Sequence, residues 1–347
     1  MTNDHPHRRE FLQTAAAGVT AAALTQAVAA QPAADKPAET TAGVPQRPFG
    51  KTKELVSIMA LGGHASTNPK KLEEAQSLRL IQRAVDEGIT FMDNCWDYHD
   101  GVAEERMGKA LAAGGRRDKT FLMTKVCGRT AREAQANLED SLRRLQTDRI
   151  DLWQFHEIVY DNDPDWIFAD DGAIHIGLQA LKEGKVRYLG FTGHKDPAIH
   201  LKMLDKPHPW DAVLMPLNVM DAHFRSFQKL VLPELVRRGI APLGMKSLGG
   251  NGSIVTKAGV PVEDALRYVL SLPIASLVSG IDSENVLDQN LAIVRGFESL
   301  GRDQMAAIEQ RSQPLAGDGR FELFKTTKDF DGPVHRRQHG FAVDKAS

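Results

Sequence analysis

Two hydrophobic periodicities alternate along this chain. Short apolar runs rich in strand formers occupy residues 58–61, 89–92, 121–124, 150–155, 188–192, 212–215, 241–245 and 276–279. Between them, apolar positions recur at helical spacing over 74–87, 104–112, 131–145, 174–183, 197–204, 227–238, 262–272 and 283–295. Glycines stop several of the helical stretches, at Gly88, Gly114-Gly115, Gly184 and Gly239. Residues 47–61 read as a short hairpin that leads into the first strand. Eight strands alternating with helices predict a (β/α)8 TIM barrel rather than an open sheet. The barrel is expected over residues 47–300, with a C-terminal extension over 301–347. Within that extension, 321–330 is expected to pack across the barrel top. His335-Arg336-Arg337-Gln338-His339 reads as a solvated tail rather than a metal site.

The first 46 residues break this pattern. His7-Arg8-Arg9-Glu10-Phe11-Leu12-Gln13 is a paired arginine followed by apolar residues, and an uncharged Ala-rich run covers 14–30 with Ala27-Val28-Ala29 as a small-x-small cleavage site. This resembles a twin-arginine export signal. The resemblance implies passage through the twin-arginine machinery into the periplasm or cell envelope, with no stable membrane span after cleavage. Residues 31–46, rich in Pro, Ala and Thr, read as a disordered linker.

Composition narrows the function. The 347 residues carry 43 Lys and Arg against 45 Asp and Glu, a formal charge of -2, so there is no electrostatic case for nucleic acid. The cysteines are Cys95 and Cys127. Two are too few for a disulfide scaffold or a cysteine-ligated zinc cluster, and no metal site is expected. Adjacent parallel strands would put both thiols at a similar height. That leaves open whether an oxidising compartment links them or they are two small buried residues.

The candidate chemistry lies at strand tips. Asp93 ends the second strand, Tyr98 follows five residues on, Lys125 ends the third strand and His156 the fourth. Sites in this fold lie at the C-terminal ends of the strands. After strand seven, Lys246-Ser247-Leu248-Gly249-Gly250-Asn251-Gly252 offers backbone N–H groups and a cation to an anion, at the usual phosphate position of the fold. The turn Gly280-Ile281-Asp282-Ser283 caps the last helix, with Ser283 as N-cap. Gly50-Lys51-Thr52 looks like the end of a P-loop, but the glycine required five residues earlier is Pro45.

Residues 91–98, Glu104-Glu105-Arg106-Met107-Gly108-Lys109-Ala110-Leu111, Thr124-Lys125-Val126, Asp151-Leu152-Trp153-Gln154-Phe155-His156, Gly184-Lys185-Val186-Arg187-Tyr188-Leu189-Gly190-Phe191 and residues 280–290 together resemble the aldo-keto reductase family. The resemblance covers most of residues 47–295, in order. It implies that Asp93, Tyr98, Lys125 and His156 are the family's catalytic tetrad, and that the barrel binds NADP(H), with NAD(H) as the alternative, to interconvert carbonyls and alcohols. The chemistry agrees. Reduction of a carbonyl leaves an alkoxide that needs a proton and a polarising donor. A free phenol has a pKa near ~10, and Lys125, held charged by Asp93, is expected to draw Tyr98 toward the phenolate.

The same resemblance implies cofactor contacts from Thr192, His194, Asn218, Lys246, Ser247, Leu248, Gly250, Gly280, Ser283, Gln289 and Asn290, and a substrate pocket lined by Trp96 and His99. Several positions depart from the family pattern. Thr192-Gly193-His194 stands where many members carry Ser-Asn for the nicotinamide amide. Leu214 and Leu217 stand at the positions of a Gln and of the aromatic that stacks on the nicotinamide. The basic residues that often grip the 2′-phosphate have no match at Gly280 and Val286. These changes keep a second reading in view: a non-catalytic, cofactor-binding redox-sensing or accessory protein. A barrel hydrolase would need two opposed acids at strand tips, and no clear second one is offered. Export further implies a cofactor held tightly and regenerated in place by a second substrate.

Overall fold

Each of the eight barrel strands pairs in parallel with its neighbour in sequence, and the last closes on the first. The computed structural model describes residues 42–343 together with the two-residue strand Ala38–Glu39. The barrel strands are Met59–Gly62, Phe91–Asp93, Phe121–Val126, Ile150–Phe155, Val186–Thr192, Ala212–Pro216, Ala241–Met245 and Ser276–Ser279. Helices that present one apolar face to the barrel follow most strands, as in Glu74–Asp86 and Ala131–Arg144. The second of these opens with a capping box between Thr130 and Glu133. Register fixes the heights of the strand tips. Asp93 pairs with Met123, and Lys125 lies two residues beyond Met123, paired with Gln154.

The hairpin of Pro45–Pro48 with Leu55–Ser57 closes the opposite end of the barrel. Its Phe49 is fully buried among Phe91, Phe121 and Leu152 inside the barrel, with ring centroids 4.8 Å from Phe121 and 5.7 Å from Tyr188. The tight turn behind it requires Gly50, at φ +56°, where a Cβ would meet the Ala241 N and Gly239 O at 2.7 Å. Pro45–Pro48 also pairs with Ala38–Glu39. Part of the 31–46 segment expected to be linker is therefore strand. The hairpin offers a strand edge, and backbone pairing to an edge depends little on composition. The export signal expected at 1–30 lies outside the described residues. No described helix is long and apolar enough to cross a membrane.

Beyond the barrel, the helix Arg302–Ala316 docks against the loop after the sixth strand, where Ser312 Oγ donates to the Val219 carbonyl at 2.7 Å. The chain then returns over the C-terminal end of the barrel through Leu323–Thr326 and Pro333–Gln338. This strap is anchored by a wholly buried ionic cluster. Lys325 Nζ donates to Asp221 Oδ1 at 2.6 Å and to the Phe224 carbonyl at 2.7 Å, and lies 2.8 Å from Glu322 Oε1. His335 has no exposed surface, and His339 stacks on Trp166 at 4.6 Å. The expectation of a solvated tail at 335–339 is corrected accordingly. A short basic sequence carries no periodicity, and only the barrel mouth supplies its burial.

Candidate active site

The barrel brings the four strand-tip residues into contact. Lys125 Nζ donates to Asp93 Oδ1 at 2.5 Å, to the Asn94 carbonyl at 2.7 Å and to Tyr98 Oη at 3.2 Å. The ammonium is thus fully used and almost wholly buried. Because it donates to the phenol oxygen, the phenol hydrogen is free to point elsewhere. Tyr98 opens the 3-10 turn Tyr98–Gly101, in which His99 and Asp100 take positive φ of 53° and 55°. Such strain is characteristic of functional loops. Gly101, at φ 93°, lets the turn rest on Arg144, since a Cβ there would meet its guanidinium at 2.5 Å. The His156 ring meets Tyr98 edge-on, with centroids 5.8 Å apart.

The electrostatics set the protonation states. Burial lifts the Asp93 carboxyl while Lys125 pulls it back, and burial lowers Lys125 while Asp93, Cys95 and Asp97 together raise it by more. At 2.5 Å the two form an ion pair. Burial, reinforced by Asp93, pushes the Tyr98 phenol well above its usual range. The expected pull toward phenolate is therefore reversed, because the Lys125 charge is already balanced by Asp93 and other acidic groups crowd the ring. Burial, with His335, Lys125 and Arg129 nearby, holds His156 well below its ordinary value, so its imidazole is neutral.

Several expected cofactor contacts are occupied by the strap. His194 is buried, with Nε2 3.2 Å from Asp331 Oδ1. The Asn218 carboxamide donates to Glu322 at 2.9 Å and accepts from the Met220 and Asp221 amides. The Lys246 ammonium lies over the rings of Phe324 and Phe330, at 5.5 and 5.2 Å, with its backbone at φ 57°. A Cβ on Gly250 would strike the Phe330 ring at 2.9 Å. His194, Asn218 and Lys246 face chain rather than open groove, which corrects their expected role as free cofactor contacts, whereas Gly250 touches the strap but stays exposed. The strap's affinity for the mouth could not be read from a sequence without period. Thr192 and Ser247 are buried beside them, and Leu248 packs on the main core.

The far end of the groove is different. A Cβ on Gly280 would meet only the Ala65 methyl, at 3.5 Å, and Gln289 is exposed. Ser283 caps its helix, accepting from the Val286 amide at 3.3 Å. The buried Asn290 donates to the Val286 carbonyl at 2.9 Å, while its Oδ1 has no partner. That orphaned acceptor fits the amino edge of an adenine. The residues expected at the adenosine half therefore lie clear of the strap, whereas most of those expected at the nicotinamide half lie against it.

The pocket expected around Trp96 and His99 is half present. Trp96 Nε1 donates to Asp140 at 3.2 Å and the Arg144 guanidinium covers the ring, so Trp96 faces the outer helix and not the barrel mouth. Its neighbour Asp97 faces inward instead. His99 Nε2 lies 2.8 Å from the His64 carbonyl, and the His64 ring in turn meets Tyr98 edge-on at 5.1 Å. His64 joins the mouth although no sequence motif marked it. Glu157, at φ 46°, and Arg129 are further additions. The Arg129 guanidinium donates to the His156 and Glu157 carbonyls at 2.9 and 3.0 Å and to Asp163 at 3.1 Å. The two cysteines are free, with Sγ atoms 3.9 Å apart. Asp97 and His156 lie beside them, so four side chains with metal-ligating atoms converge.

Comparison with known proteins agrees with this geometry. A model described as the aldo/keto reductase family matches residues 58–260. The chain is 27% identical over 310 residues to the L-galactose dehydrogenase of Arabidopsis thaliana, an alignment covering 78% of this chain and 94% of that protein. It is 29% identical over 214 residues to the 6-dehydroglucose reductase of Novosphingobium aromaticivorans, covering 56% and 67% respectively. Among solved structures, the holo form of aldo-keto reductase AKR11C1 from Bacillus halodurans shares the fold with a TM-score of 0.65 at 22% identity, covering 77% of this chain and 96% of that one.

Proposed function

This chain belongs to the aldo/keto reductase family of oxidoreductases, and on that premise we propose that it interconverts a carbonyl and an alcohol of a sugar-like substrate, with Tyr98 as general acid and base. The contact of Lys125 Nζ with Tyr98 Oη, backed by Asp93, carries this reading. Members of the family generally use a nicotinamide dinucleotide, which when bound supplies or accepts the hydride. Every other role falls to the chain. Tyr98, a neutral phenol, donates its proton to the carbonyl oxygen as that oxygen gains charge. The fixed Lys125 ammonium stabilises the phenolate left behind, without reorganising. Neutral His156 orients the same oxygen. In the reverse direction the phenolate takes the proton from the alcohol. Sugar-like chemistry is supported by the two relatives above, whose names refer to L-galactose and 6-dehydroglucose.

Asn290 and Gly280 are proposed to meet the adenosine and Ser283 the phosphates, with Lys246 free to reach them only once the strap is displaced. NADP(H) is preferred on family grounds, with NAD(H) retained because Gly280 and Val286 offer no cation. The test is a panel of aldoses, ketoses and their alcohols with each cofactor, using Tyr98→Phe as control. Equal turnover by Tyr98→Phe would remove the phenol from the mechanism, and no turnover on any member of the panel would remove the substrate class. The strap over His194 and Lys246 favours one second reading, a cofactor-responsive sensor, which would bind dinucleotide yet turn nothing over.

Export by the twin-arginine route is proposed on Arg8 and Arg9. Fractionating cells that express the chain, with and without Arg8→Lys and Arg9→Lys, tests it. Equal cytoplasmic retention of both forms would refute it.

A further inference from the structure

Beside the tetrad, on the Nδ1 side of His156, four side chains with metal-ligating atoms converge. Cys95 Sγ and Cys127 Sγ lie 3.1 and 3.4 Å from His156 Nδ1, and 3.9 Å from each other. Asp97 Oδ1 lies 3.5 Å from the same nitrogen. All four ligand atoms fall within 4.8 Å of one another. A tetrahedral zinc ion has bonds of about 2.3 Å to sulfur and about 2.0–2.1 Å to nitrogen or oxygen. The edges of that tetrahedron follow from those lengths: about 3.8 Å for S···S, about 3.5 Å for S···N and about 3.3 Å for N···O. The observed edges are close to these values, whereas a disulfide needs its sulfurs at about 2.05 Å.

The metal-free cluster is poorly satisfied. Both cysteines are fully buried, and Asp97, its side chain 9% exposed, has an Oδ1 that no N–H or O–H donor serves, the weakly donating thiols of Cys95 and Cys127 being what its carboxylate meets. One lone pair on Nδ1 can serve only one of the two thiols. A buried carboxylate oxygen left unpaired is costly, and coordination to a cation is one way such a group is satisfied. The backbone is also held in place. The Asn94 side chain accepts from the Cys95 amide at 2.8 Å, and Asn137 Oδ1 accepts from the amides of Cys127 and Gly128, both at 3.0 Å. Arg129 fixes the carbonyl of His156, and His335 of the strap reaches 3.3 Å from His156 Nδ1 and covers the remaining side.

We propose that Cys95, Asp97, Cys127 and His156 bind a single zinc-class divalent ion in a closed, four-coordinate site. Two thiolates, an imidazole and a carboxylate suit this borderline-soft ion better than magnesium or calcium, which take oxygen ligands. Binding displaces one proton from each thiol to solvent and leaves the cluster with a formal charge of -1, close to the Lys125 ammonium. With all four positions filled by protein, the ion is structural. It ties together the loops after the second, third and fourth strands, and it fixes the His156 ring whose other edge faces the barrel mouth. This inference does not depend on the hydride-transfer reading.

The experiment uses the full chain, freed of any histidine tag and purified under reducing conditions. Elemental analysis after gel filtration with added zinc should find about one ion per chain, and the Cys95→Ala, Cys127→Ala double variant should fall to background. Cobalt reconstitution of the unmutated chain should give intense visible bands with a near-ultraviolet thiolate charge-transfer feature. Zinc should also protect both thiols from alkylation. These last two readouts need no variant and so remain decisive if the double variant does not fold. Tyr98→Phe should keep its full complement of metal while losing reductase activity, which separates this inference from the proposed reaction. Absence of stoichiometric metal in the unmutated chain, full retention in a folded double variant, or a Cys95–Cys127 disulfide in the reduced preparation would each overturn it.

Discussion

Replacing Asp331 with Ala should make this chain bind its dinucleotide more tightly, although no cofactor contact is added. Asp331 is the hub of the strap. Its Oδ1 accepts from Lys195 Nζ at 2.6 Å and lies 3.2 Å from His194 Nε2, and its Oδ2 accepts from the Tyr160 hydroxyl at 2.7 Å. The carboxylate is fully buried, and although burial opposes ionisation, these partners hold it well below the usual carboxylate range. Removing one partner of a buried pair costs about 3–5 kcal/mol. Lys195 is partly solvated and recovers some of that, so about 2–3 kcal/mol is a fair weakening of the closed strap. A binding-competent state that is populated only fractionally lowers apparent affinity by that fraction. At 1.4 kcal/mol per decade, the variant should therefore bind about 30- to 140-fold more tightly until the strap is open most of the time. Titration of NADPH by calorimetry or by quenching of protein fluorescence measures the change, and limited proteolysis near residues 317–332 checks that the strap has loosened. A loosened strap with unchanged or weaker affinity would refute the idea that residues 318–338 compete with the nicotinamide half of the cofactor.

Lys125→Met should lose activity by roughly the 10²–10⁴-fold expected of general acid catalysis. The double variant with Tyr98→Phe should be little worse than either alone, because the two act as a unit; strict multiplication of the two losses would show independent roles. Burial holds the His194 imidazole down to about 4, against an ordinary value near ~6.5. Its stabilising contribution is therefore intact above the unfolded value and lost as pH falls toward about 4. The stability gap between the native chain and His194→Gln should shrink over that window, as read from urea midpoints, and a gap independent of pH would count against a neutral buried imidazole. Gly108→Ala should destabilise by about 1–3 kcal/mol, because the added Cβ would overlap the Arg144 carbonyl oxygen where two helices cross. An unchanged urea midpoint would mean that the helices separate freely.

The barrel was legible because its strands and helices differ in period. The run 89–92 is largely apolar and leads into the buried strand Phe91–Asp93, while 131–145 keeps one apolar face and becomes Ala131–Arg144. Once eight such units alternate, the position of Asp93, Lys125 and His156 at strand tips follows from sequence spacing, and parallel pairing in register brings them together. Tyr98 joined them because it lies within one short turn of Asp93. Contacts of this kind are fixed by local spacing plus a regular lattice of strands, and both are written in the chain. The strap followed no such rule. Residues 318–338 have little periodicity, and their place over the mouth is decided by pairings between distant positions: Lys325 with Asp221, Asp331 with His194 and Lys195, and His335 with His156. The sign of the Tyr98 shift also waited on tertiary structure, since it depends on burial and on which acids crowd the phenol. So did the cluster of Cys95, Asp97, Cys127 and His156. Neither the C-x-D spacing nor a lone Cys127 signals a metal, and only the curvature of the closed barrel turns three successive strand ends so that their ligand atoms converge within 4.8 Å.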